Sequence, residues 1–211
     1  VLFENIERIE KIRERLLKKY GNFSSELKFK NNFELLVSVV LSAQCTDKRV
    51  NLITPQLFQK FSSPEELSKA SLDEVKTLIN SCNLYQNKAK YLIQLSKQIL
   101  ENFHGEVPLD SKSLQSLSGV GQKTANVVLI EAKGENIMAV DTHVFRVAHR
   151  LELSNAKSAT ATEKDLTQIF KKDLAKLHIS MVLFGRHNCK AINPDCQNCI
   201  LIDLCRHEKN C

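Results

Sequence analysis

Apolar residues recur every third or fourth position along almost the whole chain: Ile6, Ile9, Ile12 and Leu16 near the start, Leu92, Leu95 and Ile99 near the middle. This spacing lines up one face of an α-helix, whereas the strict alternation of a half-buried strand is nearly absent. Serines mark several starts. Ser63-Pro64-Glu65-Glu66 and Ser71-Leu72-Asp73-Glu74 each set a serine three residues ahead of a glutamate, the capping-box spacing in which each side chain satisfies the other's orphan amide. Pro64 has no amide hydrogen to leave unpaired and suits a first helical position. The clearest breaks fall at 105–108 and 133–136. The pattern predicts an all-α protein of roughly nine to eleven helices joined by short connections. With no Gly/Ser linker, low-complexity tract or internal repeat, any domain boundary is expected to be a packed interface.

At 211 residues, 43% hydrophobic and 26% charged, the chain has room for one large domain or two small ones. Its 30 Lys and Arg against 24 Asp and Glu give a net charge of +6, which favours an anionic partner such as nucleic acid. No apolar run reaches the length of a membrane helix. The opening VLFENIERIEKIRERLLKKY is too charged for a signal peptide, so the expected compartment is the cytosol.

The stretch LSGVGQKTAN, from Leu117 to Asn126, reads as the end of a short helix, a tight Gly-Val-Gly turn and the start of a second helix. Glycines permit positive φ and close approach, and the first amides of the second helix point outward, a ready phosphate site. Such a hairpin can grip a DNA backbone without reading sequence. Lys123 is then either a phosphate contact or, with a partner that manages protons, a nucleophile. Downstream, AVDTHVFRV puts Asp141 where a helix N-cap is expected, so cap and catalyst are both open for it.

Seven cysteines include four in the array Cys189, Cys196, Cys199 and Cys205, spaced C-x6-C-x2-C-x5-C. An odd count crowded at one end of a cytosolic chain argues for a metal rather than a disulfide framework. Spacing alone leaves zinc and an iron-sulfur cluster open. Cys45 and Cys82 are expected in the core and Cys211 as a frayed terminal thiol.

Hairpin, lysine, aspartate and cysteines occur in one order. Together with FELLVSVVLSAQCTD they make the chain similar, over almost its whole length, to the endonuclease III family, DNA glycosylases and lyases of the helix-hairpin-helix superfamily. The resemblance implies base-excision repair of oxidised pyrimidines, with double-stranded DNA carrying damaged pyrimidines or abasic sites as partner. It also implies a monomer, associated with the nucleoid, with no membrane attachment.

By the same resemblance Lys123 corresponds to the lysine that attacks C1′ of the damaged nucleotide, and Asp141 to the aspartate that assists it. Cys189, Cys196, Cys199 and Cys205 correspond to the ligands of a [4Fe-4S] cluster, expected to be structural. Gln44 fills the gap left by the extruded base and Leu84 is a second wedge. Gly119, Val120, Gly121, Thr124 and His143 contact DNA, and Ser42 and Asp47 lie near the lesion pocket. The implied fold is two helical domains with the active cleft between them: a six-helix domain over 25–135 and a discontinuous cluster domain over 1–24 and 136–211.

Two departures stand out. Ser118 replaces the proline usual before Gly-Val-Gly, so the turn is expected to be less rigid. The loop 190–195 offers only Lys190 against Asp195, and is expected to add little phosphate affinity. Monofunctional adenine-mismatch relatives share the hairpin, aspartate and cluster but lack the lysine and usually carry a further C-terminal domain. Here six residues follow Cys205, and lysine and length together favour the bifunctional branch. A non-catalytic DNA-binding module, with Lys123 only a phosphate contact, is the remaining alternative.

Overall fold

The computed structural model describes residues 2–23 and 26–207; Cys211 lies outside them. Eleven α-helices and one 3-10 turn account for the regular structure among the described residues, with no strand. They are α1 (Leu2–Tyr20), α2 (Asn32–Ser42), α3 (Asp47–Lys60), α4 (Pro64–Ser68), α5 (Leu72–Ile79) and α6 (Tyr85–Phe103). There follow α7 (Ser111–Gln115), α8 (Gln122–Lys133), α9 (Thr142–Arg150), α10 (Ala159–Phe170) and α11 (Leu174–His187), with the 3-10 turn at Ile202–Leu204. Seven of these helices start behind a capping side chain: Asn31, Thr46, Ser63, Ser71, Asp110, Asp141 and Ser158. At Ser71 the capping box is complete. At Ser63 it is half-formed, because the Glu66 carboxylate takes the amide and hydroxyl of Ser62 instead, at 2.6 and 2.9 Å.

The chain forms two compact units. The continuous one, Glu26–Gly134, holds α2 to α8. That is seven helices rather than the expected six, five-residue α4 and α7 both included. Its centre is α2, buried from Phe33 to Leu41 and packed on α3, α6 and α8. Leu92, Leu95 and Ile99 of α6 are fully buried, as their spacing predicts, and α4 and α5 lean on the same helix.

The discontinuous unit, Val1–Ser25 with Glu135–Cys211, holds α1, α9, α10, α11 and the 3-10 turn. Its core gathers Ile12 and Leu16 with Val144, Val147, Leu166, Leu177, Met181 and Phe184. Ile6 is 54% exposed, so the buried stripe of α1 starts at Ile9, which packs against this core. Arginines of α1 tie the two chain segments. Arg8 donates to the carbonyls of Leu151 (2.6 Å) and Leu204 (2.9 Å), and Arg15 to that of Ile200 (2.9 Å) and the Asp203 carboxylate. No described helix is long and apolar enough to cross a membrane.

Candidate active site and cysteine cavity

Residues 43–46 turn the chain from α2 into α3, with Ser42 ending the first helix and Asp47 opening the second. At its apex Gln44 is exposed and adopts φ +55. Leu84, just before α6, has φ +58 and is 55% exposed. Left-handed φ is uncommon for any residue with a Cβ, and a leucine rarely adopts it.

The two turns are tied to each other. The Asn83 side-chain amide donates to the Gln44 carbonyl at 2.9 Å. Beneath them Lys88, only 3% exposed, donates to the carbonyls of Leu41 (2.7 Å) and Ala43 (2.6 Å), closing the C-terminal end of α2. Burial pulls the Lys88 pKa down from its ordinary value, while the nearby thiols of Cys82 and Cys45 pull it up. Those thiols lie 3.2 Å apart. Cys82 is buried as expected, but Cys45 is half-buried and sits at the bend after α2 rather than on a helix, because the chain has already left α2 there.

The glycine hairpin joins α7 to α8 in the same unit. Gly119 has φ +79, and a Cβ there would meet the Cβ and Cγ of Tyr91 at 2.9 Å, so conformation and packing both require glycine. Gly121 is different: its backbone is extended (φ −93, ψ 178) and nothing lies within 4 Å of where its Cβ would be. Glycine there leaves open space over the start of α8, where the N-cap supplies no side-chain bond. Val120 is buried, so Gly119 and Gly121 are the exposed members of the turn, and Lys123 and Thr124 follow half-buried in the first turn of α8. The helix dipole and outward amides make such a start a site for anions.

Asp141 belongs to the discontinuous unit, as the N-cap of α9. Its Oδ1 accepts from the amides of both His143 and Val144 at 2.8 Å, so the cap does not use Oδ2. A cap can therefore carry a second role. His143 Nδ1 accepts from Arg146 Nη2 at 3.1 Å, which fixes the imidazole neutral at that nitrogen. Burial lowers its pKa; Asp141 opposes that, and Arg146 and Arg186 add to it.

Cys189, Cys196, Cys199 and Cys205 all line one cavity of about 370 Å³ in the discontinuous unit, together with Arg150, Leu151 and Phe184. Arg150 Nη1 donates to Cys189 Sγ at 3.3 Å and to the Lys190 carbonyl at 2.6 Å, and the Leu201 amide donates to Cys199 Sγ at 3.4 Å. Among the described residues, no three His, Cys, Asp or Glu side chains converge as one bound ion would need. In the loop over the cavity Asp195 accepts from Asn198 at 3.0 Å, and Ile192 is 81% exposed.

Residues 37–172, which hold the Gln44 and Leu84 turns, the hairpin and Asp141, match a family described as HhH-GPD superfamily base excision DNA repair protein. Endonuclease III of Bacillus subtilis is 45% identical over 204 residues, 96% of this chain and 93% of that protein. The chain belongs to the endonuclease III family.

The Escherichia coli member is 40% identical over 190 residues, 88% of this chain and 89% of its own. The fold agrees. A trapped endonuclease III–DNA covalent intermediate superposes with a TM-score of 0.90 at 42% identity, covering 94% of this chain and 96% of that one. A non-covalent endonuclease III–DNA complex gives 0.91 at 41%, covering 96% and 95%. A thermostable thymine-DNA glycosylase at 21% identity shares the fold, with a TM-score of 0.84 over 97% of this chain and 98% of that one.

Within that family frame, three residues of the continuous unit were not singled out by sequence: Asn83, Lys88 and Gln98. Lys88 carried a signal, since it continues the buried stripe of Leu92, Leu95 and Ile99 at helical spacing. The other two act through backbone groups that no pattern reveals.

Proposed function

We propose that this chain is a bifunctional DNA glycosylase and abasic-site lyase for oxidised pyrimidines, with Lys123 as its nucleophile. The observation that carries the reading is the place of Lys123: first turn of α8, two residues after a glycine whose absent side chain leaves open space at the helix start. A DNA phosphate fits there by charge and by amide direction.

The base to be removed lies inside a duplex and must be extruded. Gln44 and Leu84, exposed and tied through Asn83, are suited to occupy the vacated stack. Ser42 and Asp47 flank the Gln44 turn at its two ends, on the side taken as the lesion pocket. Thr124 and His143 add contacts to the strand.

Attack requires a neutral amine, and an ordinary lysine with reference pKa near 10.4 is neutral in only about one molecule in 10³ to 10⁴ at pH 7. The partial positive charge at the start of α8 disfavours a second positive charge in its first turn. Asp141 takes up the remaining task through the oxygen its cap leaves over, accepting a proton or stabilising the charge that develops at C1′. The amine gives up a proton and forms a bond to C1′ as the base leaves with the glycosidic electron pair and takes up a proton. The C1′–O4′ bond then opens, its electron pair and a proton going to O4′, and the Schiff base so formed acidifies the C2′ proton, whose loss expels the 3′ phosphate.

We assign the cavity of four cysteines to a [4Fe-4S] cluster held by Cys189, Cys196, Cys199 and Cys205. Four sulfurs spread around one cavity, two of them accepting N–H bonds, suit a cluster whose thiolates bind separate irons. Thiolates are the ligands, so assembly needs all four cysteines reduced. The cluster would hold together the segment that follows α11. Anaerobically purified protein should contain iron and acid-labile sulfide at about four each per chain; zinc at one per chain would overturn the assignment.

A duplex with one thymine glycol tests the activity. The parent should release the base and cut the strand, and Lys123→Ala should do neither at a measurable rate. Strand cleavage by Lys123→Ala would refute the reading.

A further inference from the structure

The turn that launches α8 has a support of its own. Val120 N–H donates to the Leu117 carbonyl at 3.1 Å, Gly119 has φ +79, and Ser118 is not among the residues with positive φ. This is a type II turn with Ser118 at its second position, where backbone φ is near −60° and proline fits well. A serine there leaves φ freer and adds an amide hydrogen that the turn itself does not use.

Gln98 of α6 takes that amide. Ser118 N–H donates to Gln98 Oε1 at 2.8 Å, and Gln98 Nε2 donates to the Ser116 carbonyl at 3.3 Å. One side-chain amide thus holds the backbone on both sides of Leu117, itself buried. Tyr91 lies seven residues earlier on α6, two helical turns down the same face, and packs on Gly119.

We propose that Gln98 is a positioning residue for Lys123: by holding Ser116 and Ser118 it fixes the turn from which α8 and its lysine start. Its hydrogen-bond pair does the work that a proline ring at 118 would do by covalent restraint. For its effect on chemistry this rests on Lys123 being the nucleophile; for its effect on the turn it does not.

The test uses the whole chain as parent, Gln98→Leu, Gln98→Glu, Ser118→Pro and the double variant Gln98→Leu/Ser118→Pro, all well below their melting transitions. Two quantities are read: hydrogen exchange at amides 118–124, and the single-turnover cleavage rate of an abasic-site duplex. Losing one or two net hydrogen bonds predicts that Gln98→Leu speeds exchange and slows cleavage roughly 5- to 10-fold each. Gln98→Glu, still an acceptor for Ser118 N–H, keeps most of the rate. The double variant returns both quantities to parent values, a rescue that general loosening of the unit would not give to a folded enzyme's rate. Parent-like behaviour of Gln98→Leu, or a double variant that stays slow, overturns the proposal. If the parent does not cleave but exchange follows the predicted order, the support of the turn stands and the nucleophile reading falls.

Discussion

Asn83 holds Gln44: its side-chain amide donates to the Gln44 carbonyl at 2.9 Å, joining two turns that each contain a residue in the left-handed region. Neither Gln44 nor Leu84 would keep such a backbone alone, since the conformation costs on the order of 1–3 kcal/mol and persists only where surroundings over-determine it. Removing the tie in Asn83→Ala should lower base release from a thymine glycol duplex about fivefold, the worth of roughly one net hydrogen bond. Cleavage of a preformed abasic site, which needs no base held out of the stack, should change less. Equal losses on both substrates would show that Asn83 acts elsewhere.

Lys88→Met keeps the length and removes the ammonium that satisfies two carbonyls. Leaving Leu41 and Ala43 without their donor should cost roughly 2–4 kcal/mol of unfolding free energy. Denaturant melting checks this, and a variant as stable as the parent would mean that water reaches those carbonyls.

Asp141 allows its two roles to be separated. Asp141→Asn retains an oxygen for the amides of His143 and Val144 but removes the charge. It should melt close to the parent and still lose most base release. Asp141→Ala loses the cap as well, a further cost of about 1 kcal/mol. If Asp141→Asn works like the parent, the aspartate is a cap and nothing more.

His143 sets a pH signature. Its pKa is below the ordinary 6.5, held down chiefly by burial. As pH falls through 6.5 the unfolded chain takes up a proton before the folded one does, so stability is full above that value and declines below it. His143→Gln should flatten this part of the melting profile between about pH 7.5 and 5. Parallel profiles for parent and variant would assign the decline to other groups.

The fold was legible where its signals are local. Apolar spacing gave the helices, and serine or aspartate at a boundary gave their starts, because a cap is made within four residues. The place of Lys123 in the first turn of α8 and that of Asp141 as the N-cap of α9 were legible for the same reason, each lying in a short stretch with its context. The Asn83–Gln44 tie and the Gln98–Ser118 tie were not, since they join a side chain to a backbone atom 39 and 20 positions away. Lys88 was hidden by its type: a lysine reads as surface, and only the two carbonyls at the end of α2 make its burial affordable. The close approach of Cys45 and Cys82 has the same origin, the pair being brought together by the turns on either side.

The central claim is that the Lys123 amine bonds to C1′. Borohydride reduction during reaction with a thymine glycol duplex, followed by peptide mapping, tests it most directly. A covalent protein–DNA adduct on Lys123, absent from Lys123→Ala, is the predicted result; base release with no adduct, or an adduct on another amine, would contradict it.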